Sequence, residues 1–177
     1  MPKLTDYTKY SDAQKYFSKE ALWELFDGNK DDLNISYECI DRHPRLNTAI
    51  RICYEKNKSR SISFGELIDN SNRFANWLKC KGLQKGDRIA IMLDPSLEFY
   101  TALFGTMKAG CVAVPLFTAF GPDGLLARIE DCQPELLILA PEKSSLISKI
   151  NLETIIGDET LLKELCKFDK EFVANTN

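Results

Sequence analysis

The chain has 177 residues, 44% hydrophobic and 28% charged, which suits one globular domain or one domain with an extension. Its net charge of −3 argues against nucleic acid as the main partner, because phosphate backbones are bound by an excess of Lys and Arg. No run approaches the roughly 20 apolar residues that span a bilayer, and the opening MPKLTDYTKY lacks the apolar stretch of a secretory leader, so no membrane and a cytoplasmic location are expected.

Residues 1–33 read as a helical extension. Tyr10, Ala13, Phe17, Ala21 and Leu25 recur at helical spacing, which predicts a helix laying that stripe on the body of the protein. Gly28 and Asn29, followed by Asp31 and Asp32, break the pattern. Asn34 then caps a short helix over 35–43, which Pro44 stops. Residues 48–54 alternate as a half-buried strand does, 56–59 form a turn, and 60–64 return, which predicts an antiparallel hairpin. Ser63 and Glu66 have capping-box spacing at the start of a helix carrying Leu67, Ile68, Phe74, Trp77 and Leu78, with Gly82 at its end.

A strand–helix rhythm follows. Apolar strands are expected at 88–93, 111–115 and 136–139, with a short fourth at 155–156. Between and after them lie helices at 97–109, 122–132, 141–150 and 161–168, and Gly110 and Pro122 mark two of the boundaries. Such alternation predicts an α/β fold with a largely parallel sheet covered by helices on both faces. Residues 173–177 read as a linker.

The six cysteines form no CxxC pair, and the one histidine, His43, gives no zinc-ligand spacing with them. Most fall at apolar positions of the expected elements and read as small hydrophobes in a reducing compartment. His43 ends its helix, where an imidazole meets the helix dipole favourably. Neither GxGxxG nor GxxxxGK[ST] occurs.

In an open α/β sheet, ligands sit beyond the carboxyl ends of the strands. Three loops qualify. Asp94-Pro95-Ser96 either caps the next helix or offers an acid to magnesium or a phosphoryl group. The loop 116–123 carries Phe117 and Phe120, which either stack on a planar ligand or anchor the loop to the core, while Gly121 lets a backbone come close. In the loop from Pro141, Lys143 is either a solvated side chain or a point charge for phosphate.

Taken together, the runs NISYECIDRH at 34–43, SFGEL at 63–67, SNRFAN at 71–76, KGDRIAIML at 85–93, EFY at 98–100, KAG at 108–110 and VPL at 114–116 resemble the N-terminal subdomain of AMP-forming acyl-CoA synthetases. FGPD at 120–123 with Arg128 is similar to the medium-chain branch beside its acetyl-CoA synthetase relatives. The resemblance covers about 110 residues in register and divides the chain into an extension, 1–33, and an incomplete α/β subdomain, 34–177.

The resemblance implies a parent ligase that uses ATP and Mg2+ to convert a short- or medium-chain carboxylic acid to acyl-AMP, then transfers the acyl group to coenzyme A. The family's phosphate loop, rich in Ser, Thr and Gly and ending in lysine, would start just past Asn177. The 177 residues alone are therefore expected to lack catalysis, and no catalytic or metal-binding residue is assigned among them. One family function falls inside the chain. The loop after the Val-Pro strand holds the nucleotide end of coenzyme A through a Phe-Gly-Gly run, with an arginine after the next strand. Phe117, Thr118 and Ala119 occupy the run, so both glycines are replaced, and the arginine falls near Ser145. Phe117 retains the ring, and Lys143 or Lys149 would supply the charge. The implied partners are the rest of a synthetase or a dimer mate. The competing readings are a stand-alone receiver- or flavodoxin-like module and a non-catalytic interaction subunit.

Overall fold

The computed structural model describes residues 2–54 and 58–173. Its centre is a four-stranded parallel sheet in the order β4-β3-β5-β6, built from β3 (Arg88–Met92), β4 (Val112–Pro115), β5 (Leu136–Leu139) and β6 (Thr154–Ile156). The register pairs Ile91 with Pro115 and with Ile138, so β3 is central and hydrogen-bonded on both sides. Alternation along the strands sends side chains to opposite faces. Ile89, Ile91, Leu136 and Ile138 pack on one face with Phe74, Trp77 and Leu78 of α3 (Phe64–Cys80), Ala102 of α4 (Leu97–Lys108) and Leu161 and Leu165 of α6 (Glu159–Leu165). Ala90, Met92, Leu137 and Leu139 pack on the other, with Leu125 of α5 (Pro122–Cys132) and Leu146 of a 3-10 helix, Pro141–Lys149. Burial on both faces is why these strands read as unbroken apolar runs. Each fully buried Leu, Ile or Phe contributes about 1.5–3 kcal/mol of transfer free energy.

The hairpin is present as β1 (Thr48–Cys53) and β2 (Ser59–Ser63), paired antiparallel. The connection expected at 56–59 lies largely outside the described residues, as does most of the segment 173–177. Ser63 caps α3 by accepting from the Glu66 amide at 3.1 Å, while the Glu66 carboxylate meets Arg60 at 3.2 Å. Gly82 follows α3 with φ +83°, a conformation that costs glycine least. The segment expected to be helical at 141–150 is a 3-10 helix over the nine residues Pro141–Lys149, with Ile150 extended.

Two expectations fail near the N-terminus. The apolar stripe does not lie on one packed helix. It is split between α1 (Tyr10–Lys15) and α2 (Lys19–Trp23), with Tyr10 81% and Phe17 57% exposed. The first helix ends at Lys15, and Ser18, extended in backbone, caps the second through the Ala21 amide at 3.1 Å. The expected helix over 35–43 contains a π-helical turn, Tyr37–Asp41, closed by the Arg42 amide on the Tyr37 carbonyl at 3.2 Å. Its cap is as expected, since Asn34 Oδ1 accepts from the amides of Ser36 and Tyr37. The cysteines also depart from their reading. Cys39, Cys53, Cys80 and Cys166 are exposed, and Cys111 is buried, its thiol pushed up to about 11 by burial and by Asp87.

Candidate functional site

The strand order fixes where a ligand crevice can form. From β3 the chain crosses outward to β4, then back over β3 to β5, so the connections leave the centre of the sheet in opposite directions. That reversal opens the carboxyl ends of β3 and β5. The ladder runs up to this edge: the Leu116 amide donates to Ile91 O at 2.8 Å and the Ala140 amide to Met92 O at 3.0 Å.

The first two loops at the edge are tied to each other. Ser96 caps α4 through the Phe99 amide at 3.1 Å, which leaves the Asp94 carboxylate free of capping duty. Asp94 Oδ1 instead accepts the Thr118 hydroxyl at 2.6 Å. This bond ties the loop to the turn after β3, and the Thr118 hydroxyl keeps its acceptor lone pairs. The two phenylalanines, alike in sequence, divide the possible roles. Phe120 packs against the core cluster of Leu116 and Leu125, with the Arg128 guanidinium 3.7 Å over its ring. Phe117 is 67% exposed and meets Phe120 edge-on at 5.8 Å between centroids. Ala119 is exposed beside it. A Cβ added at Gly121 would meet nothing within 4 Å, so the backbone there borders open space.

Lys143 does not join this group directly. It stands on the loop after β5, with its amide on the Ala140 carbonyl at 2.9 Å, and β3 lies between β5 and β4. Two strand spacings separate it from the Phe117 loop by about 10 Å at the sheet. The side chain of Lys149 lies outside what the structure describes. A cation does lie over Phe120: Arg128, four residues past Gly124 on α5 and bonded through Nη1 to Gly124 O at 2.8 Å. Sequence reading used Arg128 only as family text. The clue available was its spacing of eight from Phe120 across the start of α5.

A second polar cluster sits away from the strand ends. Glu38, 6% exposed, accepts from the Asp27 and Gly28 amides at 3.0 and 2.8 Å and from Arg42. Burial alone raises a carboxyl, but here the Gly28 and Asp27 amides and Arg42 outweigh it and hold Glu38 below its ordinary range. Lys108, 1% exposed, donates to Asp41 at 2.6 Å and to Asn72 at 2.5 Å. Burial pushes its ammonium down, and Asp41 opposes that. A cavity of about 520 Å³ adjoins the cluster, lined by Asp27, Asn34, Tyr37, Glu38, Asp41 and Phe172 among others. Every carboxylate contact described here runs to a protein cation or amide, so the cluster fastens segments together.

A family model described as AMP-binding enzyme matches residues 38–175. The chain belongs to the AMP-binding enzyme family. The resemblance read from the sequence is therefore borne out, and so is the α/β fold it implied. Among curated AMP-binding enzymes, the chain is 37% identical over 143 residues to an acetyl-coenzyme A synthetase of Leptospira biflexa serovar Patoc, covering 78% of the chain and 22% of that relative. It is 37% identical over 142 residues to an acetyl-coenzyme A synthetase of Rhodobacter capsulatus, covering 77% and 21%. Among solved structures, an acyl-CoA synthetase of Brucella canis superposes with a TM-score of 0.84 at 25% identity, over 97% of the chain and 34% of that protein. ATP-bound MatB from Rhodopseudomonas palustris gives 0.67 at 25% identity, over 82% and 30%. The chain thus spans 22% of the Leptospira synthetase and 34% of the Brucella one.

Proposed function

We propose that these 177 residues are the N-terminal part of an AMP-forming acid–thiol ligase. The full enzyme converts a short- or medium-chain carboxylate to acyl-AMP with ATP and Mg2+, then passes the acyl group to coenzyme A. The observation that carries this reading is the family match over 38–175, in a chain aligned with acetyl-coenzyme A synthetases. On this reading residues 1–33 are an extension and 34–177 the α/β unit, and the partner is the remainder of a synthetase. Its location is cytoplasmic, and no helix among the described residues is long and apolar enough to cross a membrane.

Within that enzyme, the loop 116–121 receives the adenine end of coenzyme A, with Phe117 as the stacking ring. An exposed ring held edge-on by Phe120, in a loop tied by Asp94 and Thr118, supports this assignment. A planar base can stack on the Phe117 ring because that ring is 67% exposed. Ala119 lies in the same loop, and Lys143 follows β5 at the same edge of the sheet. No metal-binding residue is assigned in this unit, and Mg2+ and the chemical step are assigned to other segments of the full enzyme. The strand order also suits a receiver- or flavodoxin-like module, but that reading leaves the hairpin and the family match unexplained.

A coupled pyrophosphate-release assay tests the division of labour. With acetate to octanoate, ATP, Mg2+ and coenzyme A, the 177-residue chain is expected to show no turnover above background. Turnover would place the catalytic apparatus inside these residues and overturn the assignment.

A further inference from the structure

Arg128 has two contacts among the described residues. Its guanidinium carbon lies over the Phe120 ring, 3.7 Å from the centroid, and one nitrogen donates to Gly124 O at 2.8 Å, with the other nitrogens unpaired among the described residues. A guanidinium stacked by its face keeps its remaining donors in its plane, directed outward, where they match the paired oxygens of a phosphate. Phe120 touches Phe117 edge-on at 5.8 Å, so Arg128 stands no farther from the Phe117 ring than the sum of those two separations. Arg128 is exposed, and Phe117 is exposed on the same loop and helix junction.

We propose that Arg128 binds a phosphate of the nucleotide whose base stacks on Phe117, taking the part that sequence reading gave to Lys143 or Lys149. This rests on the assignment of the loop 116–121 to the adenine end of coenzyme A. The scale is right, since the phosphates of an adenine nucleotide stand several ångströms from the base. The pre-organisation is also right. The Asp94–Thr118 bond and the Phe120 anchor hold the loop, and the stack and the Gly124 carbonyl hold the arginine, so little side-chain freedom is lost on binding. Asp123, Glu130 and Asp131 are the carboxylates closest in chain to Arg128 and oppose an anion, while Asp94, tied to the Phe117 loop, already accepts from Thr118. In a chain of net charge −3, a positioned guanidinium is a selective feature here.

The test is isothermal titration of the 177-residue protein with coenzyme A, dephospho-coenzyme A and adenosine, using the wild type, Arg128→Lys and Arg128→Gln, each checked for an unchanged thermal melt. Arg128→Gln is expected to weaken coenzyme A roughly tenfold or more, the loss of a charge-assisted contact, and to leave adenosine unchanged. Arg128→Lys falls between. Raised salt is expected to weaken coenzyme A and spare adenosine. Loss for coenzyme A alone assigns the 3′-phosphate, and loss for dephospho-coenzyme A as well assigns the diphosphate. Either outcome supports the proposal. An equal loss for adenosine would make Arg128 a mere prop for Phe120 and overturn it, as would unchanged affinity for coenzyme A. No binding of any of the three by the wild type would remove the loop assignment itself, a different failure.

Discussion

Glu38 fixes a stretch of chain that has little core of its own. Its carboxylate gathers the Asp27 and Gly28 amides and Arg42, and so pins the turn after α2 to the π-helical turn. Because its pKa in the folded chain lies below the unfolded value, the stability it supplies is fully present above the unfolded value of about 4.3 and is lost as pH falls through the lowered folded one. The protection of the Asp27 and Gly28 amides against hydrogen exchange is therefore expected to drop in acid below about pH 4. Glu38→Gln is expected to flatten that pH dependence and cost about 1–3 kcal/mol in urea unfolding. Unchanged acid sensitivity in the variant would assign the effect elsewhere. The i,i+4 spacing to Arg42 is legible in the sequence, but the clasp on the Asp27 and Gly28 amides is not, because those partners are backbone groups ten and eleven residues away. Lys108 is equally illegible: its partner Asp41 is 67 positions away. Arg128 and Phe120 are close in sequence, but only the turn into α5 brings the guanidinium over the ring.

At the scale of elements, α3 and α4 approach closely because α4 has Gly105 at the crossing. A Cβ there would meet Phe74 Cβ at 2.7 Å and Ser71 O at 2.8 Å. Gly105→Ala is worth up to about 1 kcal/mol in helix propensity, yet overpacking a core contact costs about 1–3 kcal/mol. The net expectation is a lower melting temperature, and a higher one would show that the helices move apart freely. The strands β3, β4 and β5 were readable because burial on both faces leaves continuous apolar runs. The hairpin was readable from alternation, and most helix ends from Gly, Pro and Ser. The 3-10 character of Pro141–Lys149 was not, since helical periodicity over nine residues does not distinguish the two windings. Nor was the break at Ser18. The spacing of Tyr10, Ala13 and Phe17 continues into Ala21, and the cap wins only because no packing rewards a longer helix.

For the whole molecule, two helical layers on one parallel sheet leave the carboxyl ends of β3, β4 and β5 as the edge on which a ligand can rest. The loop that the sequence singled out, 116–121, lies on that edge. The sequence could not say which phenylalanine faces outward, because that depends on Leu125 and Arg128 of α5 closing over Phe120. The apolar stripe of the first 25 residues shows the opposite limit. Its periodicity was legible, but what it meets was not, and Tyr10 and Phe17 stand exposed. The most direct measurement is a coenzyme A titration of the ¹⁵N-labelled chain, following the amides of residues 116–121, with Phe117→Ala alongside. The expected result is saturable shifts centred on Phe117 and Phe120 in the wild type and their loss in the variant. Shifts that persist in Phe117→Ala, or their absence from this loop in the wild type, would contradict the assignment of this edge to coenzyme A.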